Sequence, residues 1–233
     1  MRHVVGYGWL LCLIGFWLLP APVAQGGGTP GDFDLYVLSL SWSPEYCAAA
    51  RSNQTPSNQT PSNQTQCAAD RHLGLVVHGL WPQYEAARNG EDWPAACRTS
   101  RLARLPRGVT DVFPTEGLFR HEWREHGTCS GLSPADYLAL TGRLRDRVQI
   151  PDQLRAVNRD RNMSATALRQ SIVGANPGLP ADGVVLDCKA NRLSEIRVCF
   201  GRTPDGRFQS CPAGMAADQA RDCPEHVRIR AMP

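Results

Sequence analysis

The chain contains no pair of cysteines with the C-x-x-C spacing and no H-E-x-x-H segment. The first absence excludes the common structural zinc sites, and the second excludes the metalloprotease helix, in which two histidines four residues apart bind one zinc ion. Lys189 is the single lysine among 25 basic residues, and the net charge is only +3. A charge this small does not by itself indicate a nucleic-acid-binding protein, although a local group of arginines could still bind a polyanion.

A long apolar run is present only at the N-terminus. Arg2 and His3 precede an apolar stretch over residues 4–19, and small residues and prolines follow at 20–24. This order is typical of a signal peptide, so we predict that residues 1–24 are removed near Ala24 and that the protein is periplasmic or secreted. The alternative, an uncleaved membrane anchor, is disfavoured by the shortness of the run and by its glycines.

The cysteine content agrees with export. The chain has nine cysteines, and Cys12 lies in the predicted signal peptide, so eight remain in the exported protein. An even number of cysteines in an exported chain of this size indicates four disulfides, and the residues alone leave many pairings open.

Residues 25–32 form a glycine-rich lead-in, and residues 33–233 have the length and apolar content of a single domain. Within it, residues 51–66 contain three copies of the segment SNQT and almost nothing apolar, which predicts a solvated, low-complexity loop. Four asparagines stand in N-x-S/T sequons, whose glycosylation depends on the host: Asn53, Asn58, Asn63 and Asn162.

The hydrophobic pattern predicts a mixed fold. Strand patterns cover residues 35–42, 73–81, 184–189, 193–200, 207–211 and 227–230, whereas helical patterns cover 117–128, 133–148, 151–158 and 164–173. Strands at both ends with helices grouped between them predict an α+β fold, with a central antiparallel sheet and several helices packed around it.

Two short segments carry the candidate chemistry: HGLWP at 78–82 and HEWREHGTC at 121–129. On a helix, His121 and His126 would project about 140° apart, so they could share a metal only if the helix were distorted. Glu122 and His126 are four residues apart, close enough on a helix for the carboxylate to orient the imidazole. We therefore predict metal-independent chemistry, in which one imidazole accepts a proton and another donates one. RNA suits such a site because its 2′-hydroxyl is an internal nucleophile.

These two segments, in this order, resemble the active-site segments of the ribonuclease T2 family. The resemblance includes residues 33–47 and 188–199 and covers most of the chain from Phe33 to about Ile229. It implies the fold of that family, no cofactor, no membrane attachment after signal cleavage, and a monomer. The implied activity is endonucleolytic cleavage of single-stranded RNA with low base specificity, through a 2′,3′-cyclic phosphate that can be hydrolysed slowly to a 3′-phosphate. The implied disulfides are Cys47–Cys67, Cys97–Cys129, Cys188–Cys223 and Cys199–Cys211.

The resemblance also implies roles for individual residues. His126, helped by Glu122, would take the proton of the 2′-hydroxyl, His78 would protonate the leaving 5′-oxygen, and His121 would hold the phosphate. The base and acid roles of His78 and His126 could be exchanged without contradicting anything in the sequence. Trp81 would stack on a base of the RNA. Weaker candidates for base binding are Tyr84 and Gln83.

Glu125 departs from the family pattern, which usually has a lysine immediately before the second histidine. An anion there would repel the charge that develops on the phosphoryl group, but it should also favour the protonated form of His121, one helical turn away. Three hypotheses follow: an active but slower ribonuclease, a catalytically weak RNA-binding relative, and a metallohydrolase. Incubation with RNA and a chelator separates them.

Overall fold

The computed structural model describes residues 28–52, 66–68, 70–88, 92–203 and 205–232. The predicted signal peptide, the first part of the predicted lead-in and nearly all of the predicted loop at 51–66 lie outside the described residues. Within the described part, no helix has both the length and the apolar character needed to cross a membrane.

The described residues form six strands and seven helices. The strands are β1 (Leu35–Trp42), β2 (Leu75–Gln83), β3 (Arg161–Ser164), β4 (Val184–Lys189), β5 (Arg192–Gly201) and β6 (His226–Ile229). The helices are α1 (Ser43–Ser52), α2 (Val109–Val112), α3 (Glu116–Glu125), α4 (Pro134–Arg147), α5 (Asp152–Arg155), α6 (Ala165–Ala175) and α7 (Ala213–Asp222), and a 3-10 turn follows α3 at Gly127–Ser130.

The strands form one sheet in the order β2-β1-β5-β6-β3, and β4 also pairs with β5. All of these pairings are antiparallel except the contact between β5 and β6, which is parallel at Arg192 and Arg228. The predicted α+β fold with a central antiparallel sheet is confirmed.

The two faces of the sheet have different partners. From β1, Leu38, Leu40 and Trp42 face the main core, where helix residues such as Phe119 and Tyr137 pack against the sheet. The alternate residues of β1 face the other way, as expected of a pleated strand. On that second face a smaller apolar cluster is formed by Leu35, Val37, Trp81, Val185, Cys199 and Met215.

Several predicted boundaries were wrong. The helix predicted over 117–128 ends at Glu125, because the backbone of His126 leaves the helical region (φ −120°, ψ −46°). The strand predicted over 207–211 is reduced to one bridge between Phe200 and Phe208. The helix predicted over 151–158 is limited to α5, one short turn, whereas the helix α4 begins as expected, with the Ser133 side chain accepting a hydrogen bond from the backbone of Asp136.

Four disulfides connect the described cysteines, in the pairing that the resemblance implies: Cys47–Cys67, Cys97–Cys129, Cys188–Cys223 and Cys199–Cys211. The second of these lies next to the candidate site, because Cys129 belongs to the 3-10 turn that follows His126.

Candidate active site

A β-bulge presents His78. In the pairing of β1 with β2, Ser39 lies opposite Gly79 and Leu40 lies opposite Val77, so His78 is an additional residue without a partner. Residues three apart on a regular strand point to opposite faces, but the bulge shifts the alternation by one. The rings of His78 and Trp81 therefore lie on the same face, with their centroids 5.3 Å apart.

Glu122, on α3, lies between the three histidines of the two motifs. Its Oε1 atom is 3.4 Å from His78 Nε2 and 3.9 Å from His121 Nε2, and its Oε2 atom is 4.0 Å from His126 Nε2. The carboxylate is 1% exposed and accepts a hydrogen bond from Trp81 Nε1 at 2.8 Å. The structure thus brings together His78, His121, Glu122 and His126, the four residues that the sequence analysis selects as catalytic.

Two tryptophans enclose His126. The centroids of the Trp81 and Trp93 rings lie 5.3 and 5.6 Å from the imidazole centroid, and the His126 side chain is only 10% exposed. Its Nδ1 atom is buried and has no hydrogen-bond partner among the described residues. Trp93 has no place in the sequence motifs, and its role in the site was not predicted.

His121 is contacted by a neighbouring cation. Arg124 Nη2 lies 3.1 Å from His121 Nδ1, while Arg124 Nε donates to Glu125 Oε1 at 2.7 Å. Glu125 therefore holds an arginine beside His121. Burial and the Arg124 charge lower the pKa of His121, and the opposing effect of Glu125 is smaller. Glu125 does raise the pKa of His121, as the sequence analysis expects, but burial and the charge of Arg124 lower it by more.

Glu195, on β5, is hydrogen-bonded to His78, with Oε1 2.6 Å from His78 Nδ1. The carboxylate also accepts hydrogen bonds from Ser39 and Ser41 of β1 and from Arg197. The sequence analysis missed Glu195 and Arg197. The sequence did contain a signal for this contact. Two buried strands carry polar residues at alternate positions, Ser39 and Ser41 in one and Glu195 and Arg197 in the other, and buried polar groups require hydrogen-bond partners.

The protonation states of the histidines diverge. Burial lowers the pKa of His78, but the hydrogen bond and charge of Glu195 and the charge of Glu122 outweigh it, so the pKa of His78 is raised. Burial lowers the pKa of His126 to about 3, and the other two histidines add to the effect. Burial raises the pKa of Glu122 to about 7. At mildly acidic pH the site therefore contains a cationic His78 and a neutral His126, an acid and a base.

The three candidate base-binding residues are not equally available. Trp81 is 6% exposed, and Arg197 lies over its ring at 5.1 Å, so little of the ring is free to stack on a base. Gln83 is 2% exposed, and its side-chain oxygen accepts a hydrogen bond from the backbone of Tyr84, which is half-buried. The stacking role of Trp81 stays a prediction, and the structure disfavours it.

A cleft opens beside His78 and His121. Its volume is about 420 Å³, and it lies between α1, β2, α3 and the β4–β5 hairpin. Tyr46 on α1 contributes an exposed aromatic ring to this cleft, and Lys189 at the end of β4 contributes a positively charged side chain. Other residues that line it include Ser41, Glu45, Gln66, Leu118, Ser194 and Glu195.

The glycines of the two motifs are required for close packing. A Cβ atom on Gly79 would overlap the Glu122 carboxylate and the Trp81 indole nitrogen, and one on Gly127 would overlap the Trp123 ring. Each motif therefore has a glycine where another part of the site approaches its backbone.

Over the described ranges, no group of three or more His, Cys, Asp or Glu side chains is arranged to hold a metal ion. Metal independence stays a prediction that a chelator experiment tests.

Comparison with known proteins gives one family. The model of the Ribonuclease T2 family matches residues 33–211. A ribonuclease from Aeromonas hydrophila is 38% identical over 148 residues, which are 62% of this chain and 61% of that protein. A probable ribonuclease from Haemophilus influenzae is 38% identical over 138 residues, 56% of this chain and 48% of that protein. The chain thus matches less than two thirds of the length of these two relatives.

Solved structures show the same fold at low identity. RNase MC1 from bitter gourd seeds has a TM-score of 0.54 at 21% identity, and the match covers 77% of this chain and 94% of that chain. A self-incompatibility-associated RNase from Nicotiana alata has a TM-score of 0.59 at 16% identity, and the match covers 87% and 100%. RNase NT, with a TM-score of 0.53 and 19% identity over 86% and 100% of the two chains, was solved in complex with 5′-AMP.

Proposed function

Because the chain belongs to the ribonuclease T2 family, we propose that it is a metal-independent endoribonuclease acting on single-stranded RNA. The observation that carries the proposal is the group of three imidazoles around the Glu122 carboxylate, in which the pKa of His78 is raised while the pKa values of His121 and His126 are lowered. Two groups whose environments separate their pKa values are the usual acid and base of such a reaction.

In the proposed reaction, neutral His126 takes the proton of the 2′-hydroxyl. The 2′-oxygen attacks the adjacent phosphorus atom, the bond from phosphorus to the 5′-oxygen breaks, and protonated His78 gives its Nε2 proton to the departing oxygen. The products are a 2′,3′-cyclic phosphate and a 5′-hydroxyl. The exchanged assignment is disfavoured because burial holds His126 neutral.

His121 and Arg124 would bind the phosphate. Arg124 contacts Nδ1 of His121, and an arginine can only donate a hydrogen bond, so Nδ1 of the neutral ring is the acceptor. The proton of neutral His121 is then on Nε2, the atom that faces Glu122 and the centre of the site. The Nε2–H group would donate a hydrogen bond to a phosphoryl oxygen, whose negative charge increases during the displacement.

The cleft beside His78 and His121 would hold a base next to the scissile phosphate. Its exposed Tyr46 offers a stacking surface, and stacking accepts any base, in agreement with low base specificity. The complex of RNase NT with 5′-AMP supports a nucleotide-sized ligand for this class of fold.

The test uses a single-stranded oligonucleotide with one ribonucleotide in an otherwise deoxy strand, in the presence of excess chelator. We expect cleavage only on the 3′ side of the ribonucleotide, with a cyclic phosphate detected by mass spectrometry. The all-deoxy strand should remain intact, since it has no 2′-hydroxyl. A 5′-phosphate product, or activity that disappears with the chelator and returns with zinc, would overturn the proposal.

Two variants test the named residues. His78→Ala and His126→Ala should each reduce kcat by at least ~10²-fold, since each removes a proton transfer. The wild-type profile of kcat/KM against pH should fall on the alkaline side as His78 loses its proton and on the acid side as His126 gains one. Near-normal turnover of either variant would show that its assignment is wrong.

We further propose that residues 1–24 direct export and that the mature domain is a monomer in the periplasm or the medium. Four disulfides among the described residues support an oxidising compartment. N-terminal sequencing of the protein recovered from periplasmic and culture fractions tests the cleavage near Ala24.

A further inference from the structure

The hydrogen bond between His78 and Glu195 crosses an intervening strand. His78 lies on β2 and Glu195 on β5, and β1 runs between them. Two strands separated by a third lie about 10 Å apart. Their side chains can therefore meet only if both are long and the side chains of the strand between them are short. The residues of β1 beneath the contact are Ser39 and Ser41, whose hydroxyls donate to the same carboxylate at 2.9 and 3.2 Å.

The other contacts of Glu195 keep it ionised and so determine that the proton between Glu195 and His78 lies on His78. Its Oε2 atom accepts hydrogen bonds from Ser39 and from Nε and Nη2 of Arg197, at 2.9, 3.1 and 3.0 Å. Its Oε1 atom accepts a bond from Ser41 and faces His78 Nδ1 at 2.6 Å. A carboxylate with this many donors, including a guanidinium, stays ionised, and its short contact with His78 requires a proton on Nδ1.

The position of the proton decides what His78 can do. With Nδ1–H bound to Glu195, the reactive nitrogen is Nε2, which faces Glu122 and the centre of the site. In the imidazolium, Nε2 carries the proton that is donated, and after donation the ring remains the Nδ1–H tautomer. The proton on Nδ1 stays on His78 throughout, and Glu195 changes neither its charge nor its partners.

We propose that Glu195 is the positioning residue of His78: it selects the tautomer, directs Nε2 to the scissile phosphate, and stabilises the imidazolium. Arg197 is the anchor of this arrangement, because it binds Glu195 and Asp187 and also lies over the Trp81 ring. This inference rests on the proposed function for its consequence in catalysis, but the pairing itself exists without RNA.

The other charged groups near His78 do not supply the same interaction. From α3, Glu122 is 3.4 Å from Nε2, the opposite ring atom, and the charge of Arg197 on β5 opposes protonation of His78. The charge of His78 in turn opposes protonation of His121 on α3. His126 lies beyond Glu122, and Lys189 lines the adjoining cleft. Among the described residues, Glu195 is thus the anion that contacts Nδ1.

The test compares Glu195→Gln with Asp187→Asn. Both substitutions replace a carboxylate that binds Arg197 by an amide of the same shape, but only Glu195 contacts His78. We expect Glu195→Gln to move the alkaline limb of the kcat/KM profile down by about one pH unit or more and to reduce kcat about 10–100-fold, with little change in KM. Asp187→Asn should leave the position of that limb unchanged. An unmoved limb in Glu195→Gln, or an equal shift in both variants, would overturn the inference.

A second measurement does not depend on the folding of a variant or on RNA cleavage. The ¹⁵N spectrum of the wild-type histidines above the pKa of His78 should show this ring as the Nδ1–H tautomer. An Nε2–H tautomer would overturn the inference even if RNA is cleaved as proposed. Conversely, if the tautomer is as expected and RNA is not cleaved, the proposed function fails while the pairing stands.

Discussion

At the scale of single residues, the unusual feature is that one buried carboxylate, Glu122, lies within 4.0 Å of three imidazoles. It cannot be fully paired with all of them, and among the described residues its hydrogen bond comes from Trp81 rather than from a histidine. Burial makes the ionised form of this carboxylate unfavourable, and the pKa of Glu122 is therefore raised. Buried, incompletely satisfied groups of this kind are typical of sites under selection for chemistry.

Glu125 is a residue whose role the structure changes. From the sequence, a lysine at this position could either increase the rate by supplying a cation or decrease it by repelling His121. Because Glu125 holds Arg124 against His121, we predict that Glu125→Lys lowers kcat/KM about 3–10-fold, by displacing Arg124. Steady-state kinetics on RNA across pH measure the effect.

The controls for Glu125 are Glu125→Gln and Arg124→Ala. Glu125→Gln should have a smaller effect than the lysine variant because it weakens the contact with Arg124 without repulsion. Arg124→Ala should reproduce most of the loss. A faster Glu125→Lys enzyme would mean that Arg124 is not the cation that the site uses.

At the scale of elements, the site is built where a bulged strand meets the end of a helix. The bulge of β2 turns His78 towards the face that carries Trp81, and the end of α3 at Glu125 releases His126 from helical geometry. Both are irregularities, and bulges and helix termini are common beside active sites because they direct side chains away from the regular pattern.

The contact between β2 and α3 depends on a glycine. Gly79→Ala should lower the free energy of unfolding by about 1–3 kcal/mol and reduce activity, because the new methyl group overlaps Glu122 and Trp81 Nε1. Thermal unfolding should show a decrease of a few degrees.

Gly174→Ala is the matched control for Gly79→Ala. Gly174 lies in α6, and its Cβ would meet nothing within 4 Å, so alanine should be neutral or stabilising through its higher helix propensity. Equal melting temperatures for Gly79→Ala and the wild type would show that α3 can move away from β2.

At the scale of the whole molecule, the active site reduces stability. The folded protein raises the pKa of Glu122, so between pH 4.5 and 7 the folded state binds more protons at this residue than the unfolded state. Its contribution to the free energy of unfolding therefore decreases as pH rises through this range. The cost is fully present above pH 7 and absent below about pH 4.5.

Glu122→Gln tests this cost. The amide oxygen can still accept the hydrogen bond from Trp81 Nε1, so the variant should be more stable than the wild type by about 1–3 kcal/mol at pH 8. At pH 4 the two proteins should be equally stable, and RNA cleavage by the variant should be reduced at every pH. Chemical denaturation at both pH values measures the difference, and an equal gain at pH 4 and pH 8 would show that ionisation is not the cause.

The predicted loop at 51–66 bears on the stability of the whole domain, because the Cys47–Cys67 disulfide joins the chain on its two sides. Deleting residues 53–62, two of the three repeats, preserves the remaining sequence and halves the length of chain between Cys47 and Cys67. For a solvated loop of the predicted kind, halving the length changes the closure entropy by less than about 1 kcal/mol, so folding and cleavage should be nearly unchanged. A large decrease in melting temperature would show that the loop packs against the domain.

The sequence by itself determined much of this protein. The two motifs, through their resemblance to the ribonuclease T2 family, selected His78, His121, Glu122 and His126, and the strand and helix patterns predicted the α+β fold. These features are readable because they are local: a strand alternates, a helix begins after its capping residue Ser133, and each motif places its residues within a short segment.

Only the tertiary structure decided how these residues act. The bulge that presents His78, the burial of Trp81 and the contact of His78 with Glu195 depend on which strands become neighbours. His78 and Glu195 are 117 residues apart in the sequence and meet across a third strand, so no pattern within either segment specifies their contact. The direction of each pKa shift follows from the same cause, because burial and neighbouring charge belong to the packed molecule and not to the residue.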